Sequence, residues 1–368
     1  MNPIFQYLND LFAKLNLLHK DALFNGLEEA HQLLNLMVKE GKVPGLAITV
    51  MREGTVLLQK GYGYANLEMQ TPIDPRNTLL RTASVSKPIA ATALAIMLSE
   101  QTIDLDASFY DYVPYFPKKN YDFTLRQLAG HTAGIRGYKG MEYRLNQPFS
   151  IKEGIEVFKA DELLFEPGTD YHYNSYDWVL VSLAMQEASG VPFQDYVKEK
   201  VLLPLGMRNT FTEMEVLERL SGTAHLPMAT FYSKSQLGFR VAAPVNNFFK
   251  LAGGGYLSTS EDIAKLGQAY LQGKIADKEV VSQFLEAEEV NGIATYYGLG
   301  WQVSQDSSGR PFYGHVGNGV GGYSNFFVYS KEQMVFAIMV NCTDPKVQET
   351  LDRVIGLLIN IESGSKSV

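Results

Sequence analysis

Apolar residues recur along this chain with two different spacings, and the change from one to the other marks its segments. Ile4, Leu8, Leu11, Phe12 and Leu15 fall on one face of a helix over residues 4–18. A second helical stretch covers about 27–39 and stops at Gly41, with Lys39 and Lys42 close to it. Extended runs follow at 45–52 and 55–60, joined by Glu53-Gly54 in the manner of a hairpin. From about Ser84 to Leu220 the pattern reads mainly as helices and loops, with clear helices at 88–99 and 176–189, the latter closed by Gly190. Alternation returns at 300–304, 311–316, 323–329 and 334–341, before a last amphipathic helix at 346–361 and a polar tail. Strands at both ends and helices between them predict an α+β chain, with one antiparallel sheet built from both termini, flanked by helices, and a mainly helical lobe inserted. There is no internal repeat, low-complexity block or long linker.

Composition narrows the class. At 368 residues, 46% apolar and 20% charged, the chain suits a globular enzyme of about two compact units with a core large enough to need no staple. A net charge of −8 argues against nucleic acid and against an anionic membrane surface. The single cysteine, Cys342, excludes an intrachain disulfide and any cysteine-based zinc site. No apolar run reaches the ~20 residues of a spanning helix, so no integral membrane segment is expected. The N-terminus lacks a basic region ahead of an apolar core, which points to a cytoplasmic protein, or to a periplasmic or secreted one if a leader has been removed.

The chemistry begins with an elimination. There is no Gly-x-Ser-x-Gly elbow, His-Glu-x-x-His or Walker loop. A Gly-x-Gly-x-x-Gly at Gly317, Gly319 and Gly322 is followed by a strand pattern rather than a helix, so a dinucleotide site is rejected. Ser84-Val85-Ser86-Lys87-Pro88 opens an apolar helix, and Pro88 pins its start close to Ser84. There the serine amide has no intrahelical partner and can face an oxyanion. Lys87, three residues on, shares the serine's face, and burial would turn it towards proton acceptance. By itself the pattern is weak: Ser363-Gly364-Ser365-Lys366 repeats it in the tail, and Ser84 could be only a helix cap. A second element, Tyr173-Asn174-Ser175, sits where a loop meets a helix, and a neighbouring lysine cation would favour the phenolate, a general base. Tyr173 is also one of 21 tyrosines and could simply pack. A third, Gly314-His315-Val316-Gly317-Asn318, places small residues at a strand end where a substrate can approach, with the Asn318 amide as a second oxyanion donor.

In that order, these three elements resemble the motifs of the serine β-lactamase and D,D-peptidase superfamily, most of all its class C-like branch of esterases, D-aminopeptidase-like enzymes and related serine hydrolases. Val43-Pro44-Gly45, the segment from Gly61 to Ala65, Leu128-Ala129-Gly130-His131-Thr132-Ala133-Gly134, Pro204-Leu205-Gly206-Met207 and Gly253-Gly254-Gly255-Tyr256 match as well, and the likeness spans about residues 25–345. It implies a β-lactamase/transpeptidase-like fold with a sheet lobe at about 25–83 and 251–368, a helical lobe at about 84–250, an N-terminal helical extension at 1–24, and a C-terminal helix and tail at 346–368. It implies Ser84 as acylated nucleophile, Lys87 as acceptor of its proton and Tyr173 as activator of the nucleophile and then of water. Ser175 would position Lys87 and the substrate amide, His315 would line the site opposite, and the amides of Ser84 and Asn318 would form the oxyanion hole beside Gly317. His131 is expected to be a hydrogen-bonded loop residue.

Two departures shape the expected function. Class C β-lactamases carry Lys-Thr-Gly where this chain has His315-Val316-Gly317, and asparagine where it has Ser175. A mostly neutral histidine and a valine offer no anchor for a β-lactam carboxylate. The expectation is therefore an esterase or a peptidase/amidase acting through acyl-Ser84 on small, uncharged ester, amide or peptide substrates, with no metal or cofactor. A β-lactamase or penicillin-binding peptidase is the alternative, and a catalytically idle sensor or assembly homologue is the alternative of another class. Residues 4–18 are the candidate oligomer contact, loops at about 136–150 and 225–250 are expected to shape the pocket, and the aromatic run 109–116 is expected to pack within the helical lobe.

Overall fold

The computed structural model describes residues 26–220 and 227–361; the helix expected at residues 4–18 lies outside them. Two units emerge, one made of the chain up to Lys42 together with the chain from Lys346, the other running from Val43 to Pro345. The helices used below are α1 (Gly26–Lys39), α2 (Ser86–Ser99), α3 (Tyr176–Ser189), α4 (Ser260–Leu271) and α5 (Gln348–Ile359). In the first unit, α1 buries Ala30, Leu34 and Met37, and α5 buries Leu351, Val354, Ile355 and Leu358, each a single helical stripe. An Arg353–Glu29 ion pair joins the two helices.

The second unit is built on a seven-stranded sheet of β1 (Gly45–Arg52), β2 (Thr55–Asn66), β3 (Thr71–Pro72), β4 (Gln302–Gln305), β5 (Pro311–Gly319), β6 (Gly322–Tyr329) and β7 (Met334–Val340). Its order is β4-β5-β6-β7-β1-β2-β3, and every neighbouring pair is antiparallel. The early and late segments meet at β1 and β7, in register from Leu46–Val340 to Arg52–Met334, so the sheet is assembled from both sides of the inserted lobe as the periodicity predicts. All residues of β6 and β7 are buried, which makes the centre of the sheet an interior layer. Helix α4 lies on one face: Thr49 and Ser260 share a 2.9 Å hydrogen bond, and a Cβ at Gly267 would come within 3.0 Å of Val335, Phe326 and Val328. Gly317, Gly319 and Gly322 sit in the β5–β6 hairpin, not at a strand-to-helix turn.

The lobe between Ser84 and Lys250 is less purely helical than its pattern suggests. Short strands at Phe211–Thr212, Tyr232–Ser235 and Gly238–Val241 belong to two small sheets, and strands of two to four residues are too brief for periodicity to reveal. Its core is α2, of which only three residues are not buried, and α3, centred on Trp178. A helix apolar on all sides must be enclosed, and these two are, α3 as far as Met185. Phe109, Tyr110, Phe116 and Phe123 form an aromatic cluster in the same lobe, as expected of the 109–116 run.

Candidate active site

A short strand, Leu80–Arg81, runs antiparallel to Tyr256–Ser258 and delivers the chain to Ser84. The approach is tightly tied: the Thr82 amide donates to the Tyr256 carbonyl at 3.0 Å, the Thr82 hydroxyl reaches the same carbonyl at 2.8 Å, and Ser86 Oγ accepts from the Tyr256 amide at 3.1 Å. Ala83 has φ of +45°, a left-handed conformation that a non-glycine residue adopts only when its surroundings impose it. Ala83–Val85 then form a single 3₁₀ turn, and α2 begins at Ser86, with Pro88 in its first turn. The cap residue of α2 is Val85, so Ser84 is not a helix cap; it stands on the turn before the helix.

From that turn three side chains converge. Lys87 Nζ lies 3.4 Å from Ser84 Oγ, 2.8 Å from Tyr173 Oη and 2.9 Å from the Gly253 carbonyl, and Tyr173 Oη lies 2.8 Å from Ser84 Oγ. Lys87 is fully buried, and desolvation, opposed in part by Asp177, pulls its pKa down to about 7. At its ordinary value a lysine would be neutral in about one molecule in three thousand at pH 7; burial brings the neutral form of Lys87 within easy reach there. Tyr173 goes the other way. Desolvation of its hydroxyl raises its pKa well above the usual phenol value, despite the hydrogen bond with Ser84. The expected phenolate is therefore not the resting form: the loss of water outweighs the hydrogen bond with Ser84.

The remaining predicted residues fall into two groups. Asn318 lines the cleft in front of Ser84, and Gly317 lies behind it, close enough that a Cβ there would sit 2.5 Å from the Thr82 carbonyl and 3.1 Å from the Ser84 amide. His315 does not line the cleft as expected. It is 1% exposed, its Nδ1–H donates to the Val316 carbonyl at 2.7 Å, and Tyr297 Oη donates to Nε2 at 3.0 Å. That arrangement fixes one neutral tautomer, and burial together with Lys87 lowers its pKa to about 3. Its ring packs 5.8 Å from that of Tyr173, so it supports the tyrosine from behind. Ser175 lines the cleft but does not hold Lys87; the third lysine partner is the Gly253 carbonyl, and Gly253 is seated against Ser175, with 3.0 Å between the site of a Cβ and the Ser175 carbonyl.

His131 is the hydrogen-bonded loop residue the sequence suggests, and it also lies against the site. Its ring is 4.7 Å from that of Tyr173 and 4.8 Å from that of Tyr297, and its Nδ1 bonds Asp177 at 2.7 Å. Burial keeps His131 neutral and raises the Asp177 carboxyl, which also accepts from Asn174 Nδ2 at 2.6 Å. The signal was available in principle, since Asn174 and Asp177 follow Tyr173 closely in the chain. The cleft itself is a cavity of about 110 Å³ with Ser84, Ser175 and Asn318 along it. Tyr138 and Tyr143 from one predicted loop, and Asn247 and Lys250 from the other, complete its wall.

A family model described as Beta-lactamase matches residues 30–359. The chain belongs to the β-lactamase family. Among curated proteins it is 27% identical over 318 residues to the human "Serine beta-lactamase-like protein LACTB, mitochondrial", a match that covers 67% of this chain and 57% of that protein. It is 25% identical over 323 residues to "Penicillin-binding protein 4*" of Bacillus subtilis, covering 84% of this chain and 68% of that one. Among solved structures, D-amino acid amidase from Ochrobactrum anthropi SV3 superposes with a TM-score of 0.79 at 21% identity, over 92% of this chain and 99% of the amidase. That likeness shows the β-lactamase/transpeptidase-like fold. No helix among the described residues is long and apolar enough to cross a membrane.

Proposed function

We propose that this protein is a serine hydrolase that works through an acyl-enzyme on Ser84, with small esters or amides as substrates. The observation that carries the reading is the closed contact of Ser84 Oγ, Tyr173 Oη and Lys87 Nζ on the turn before α2, with the lysine pKa drawn to about 7. Neutral Lys87 takes the Tyr173 proton as Tyr173 takes that of Ser84, and the freed Oγ attacks the carbonyl carbon. Rotation of the two hydroxyls suffices to reverse their donor roles. The oxyanion is held by the Ser84 and Asn318 amides, and the helix dipole of α2 favours charge at the same point. Lys87, now an ammonium, returns a proton through Tyr173 to the leaving oxygen or nitrogen as that bond breaks. Water then loses a proton along the same path, attacks the acyl carbon, and Ser84 leaves reprotonated. Each step uses side chains and backbone of this chain alone.

Residues 25–345 constitute the catalytic region in this reading, and the lone, buried Cys342 suits a reducing compartment such as the cytoplasm. The fold neighbour named as a D-amino acid amidase and the relative named as a penicillin-binding protein support acyl transfer as the reaction type. The test is intact-protein mass after brief exposure to a fluorophosphonate, a short p-nitrophenyl ester and a penicillin, with Ser84→Ala alongside. A single adduct on the wild type that disappears in Ser84→Ala is expected, with rapid ester turnover and a slow or absent penicilloyl adduct. A folded protein that no reagent labels would sink the enzymatic reading in favour of an idle homologue.

A further inference from the structure

The cleft contains a second buried lysine that the proposed chemistry leaves unused. Lys250 is 3% exposed, yet it lines the same cavity as Ser84. Its ammonium has three N–H donors and makes one hydrogen bond, from Nζ to the Tyr143 carbonyl at 3.1 Å. The rings of Tyr138 and Phe249 flank it at 5.2 Å and 5.3 Å. Among the described residues no carboxylate pairs with it. Glu213, the carboxylate that influences it from nearby, is engaged by Arg81, with Nη2 and Nε at 2.9 Å and 3.0 Å, and by the Asn247 amide group at 3.4 Å. Arg81 also lines the cavity, but its charge is matched by that pair, and its Nη1 donates to the Val320 carbonyl at 2.7 Å.

The wall therefore presents one cation with no ion-pair partner among the described residues and two free donors, beside the side chains of Asn247, Ser175 and Asn318. Holding an ammonium away from water with a single neutral acceptor is unfavourable, and an anion brought by a ligand supplies the compensation the fold does not. We propose that Lys250 forms an anion subsite of this cleft, and that the substrates processed at Ser84 are esters or amides bearing a free carboxylate. The inference rests on the serine hydrolase reading and names its substrate class. It also reverses the expectation of uncharged substrates drawn from His315 and Val316, because the cation comes from a different element.

Burial lowers the Lys250 pKa to about 8, so the cation is present below that pH and is lost above it, while a substrate carboxylate stays ionised throughout. The groups facing it are the Arg81–Glu213 pair, which carries no net charge, and the un-ionised phenol of Tyr138. Lys87, the other lysine of the cleft, loses its charge lower, at about 7. Both lysines lose their charge in this range, so substitution at Lys250 carries the assignment.

The test uses the full chain and two matched series: p-nitrophenyl hemiesters of succinate, glutarate and adipate against their methyl-capped diesters, and 3- and 4-acetoxybenzoic acids against their methyl esters. At pH 7, kcat/KM is expected to favour the acid by about tenfold or more in at least one series, at one preferred spacer length. In Lys250→Met that ratio falls to near one, and in Lys250→Arg most of it returns. If Lys250→Met does not fold, Lys250→Arg decides the matter: an arginine keeps its charge, so the acid preference must persist to higher pH in that variant than in the wild type, where it fades as Lys250 loses its proton. Capped esters turned over as fast as the acids in both series, by a wild type that fluorophosphonate labels at Ser84, would overturn the subsite and leave the hydrolase standing. Failure of labelling at Ser84 would remove both.

Discussion

The floor of the cleft and its wall each bury a lysine, and the two are held differently. On the floor, Lys87 is fixed by two hydroxyls and a carbonyl at 2.8–3.4 Å, on a turn clamped to Tyr256 and backed by Gly317. On the wall, Lys250 has one carbonyl and two ring faces. Both are pulled below the ordinary lysine value by burial, to about 7 and about 8. The floor gives its lysine partners that exchange protons, which suits bond making. The wall leaves donors free, which suits holding a charge that arrives with the substrate.

That contrast breaks most visibly at Lys87. Lys87→Met should lower kcat/KM for a p-nitrophenyl ester by about 10³–10⁴, with circular dichroism unchanged, because the proton relay from Ser84 would then end on Tyr173, whose raised pKa makes its phenolate scarce. Tyr173→Phe removes the proton path but leaves the lysine 3.4 Å from Ser84, so a loss of about 10²–10³ is expected. Gly317→Ala places a Cβ 2.3 Å from Ser324 Oγ and 2.5 Å from the Thr82 carbonyl, so β5 must shift away from the Ser84 amide; kcat should drop about 10²-fold while KM changes little. If kcat is spared, the Asn318 amide is not an oxyanion donor. Activity towards the methyl-capped esters should rise with pH up to about 7, roughly tenfold per unit, as Lys87 loses its proton, and then level off, since the Tyr173 hydroxyl titrates far higher. A profile centred near 10 would mean that Lys87 is not the acceptor. The smallest effect belongs to the wall. Removing a charge with one hydrogen bond should leave Lys250→Met more stable, by about 2 °C in Tm, whereas Lys87→Met, which strands Tyr173 and the Gly253 carbonyl, should gain less or nothing.

Much of the floor was legible in the sequence because its logic is local. Ser84 and Lys87 lie one helical turn apart, Pro88 marks the turn, and Tyr173 stands at the head of a helix that the periodicity locates at Tyr176–Ser189. The wall was legible only as two loops. Lys250 reads as one lysine among many until the fold folds it inward; the hint was its place between Phe248-Phe249 and Leu251-Ala252, an apolar stretch with no exposed face to offer. The Gly253 carbonyl leaves no trace in side-chain chemistry, and the burial of His315 depends on Tyr297, brought to it by pairing across β4 and β5. Strand β2 illustrates the same limit, since its expected end at 60 gives way to pairing that runs on to Asn66, through glycines that look like punctuation.

The clamp on the nucleophile also bears on how the protein comes into being. Ser84 precedes in the chain everything that surrounds it: Tyr173 and Gly253 come first, then Gly317 and Ser324, whose Oγ bonds the Thr82 carbonyl at 2.6 Å. A chain that has passed Ser84 but not β5 holds the serine and its lysine without the strand that backs them, and without the Asn318 amide. In the proposed hydrolase, reactivity would thus be withheld until β5 and β6 are in place, and a chain cut short before them would carry the serine and lysine without the oxyanion site.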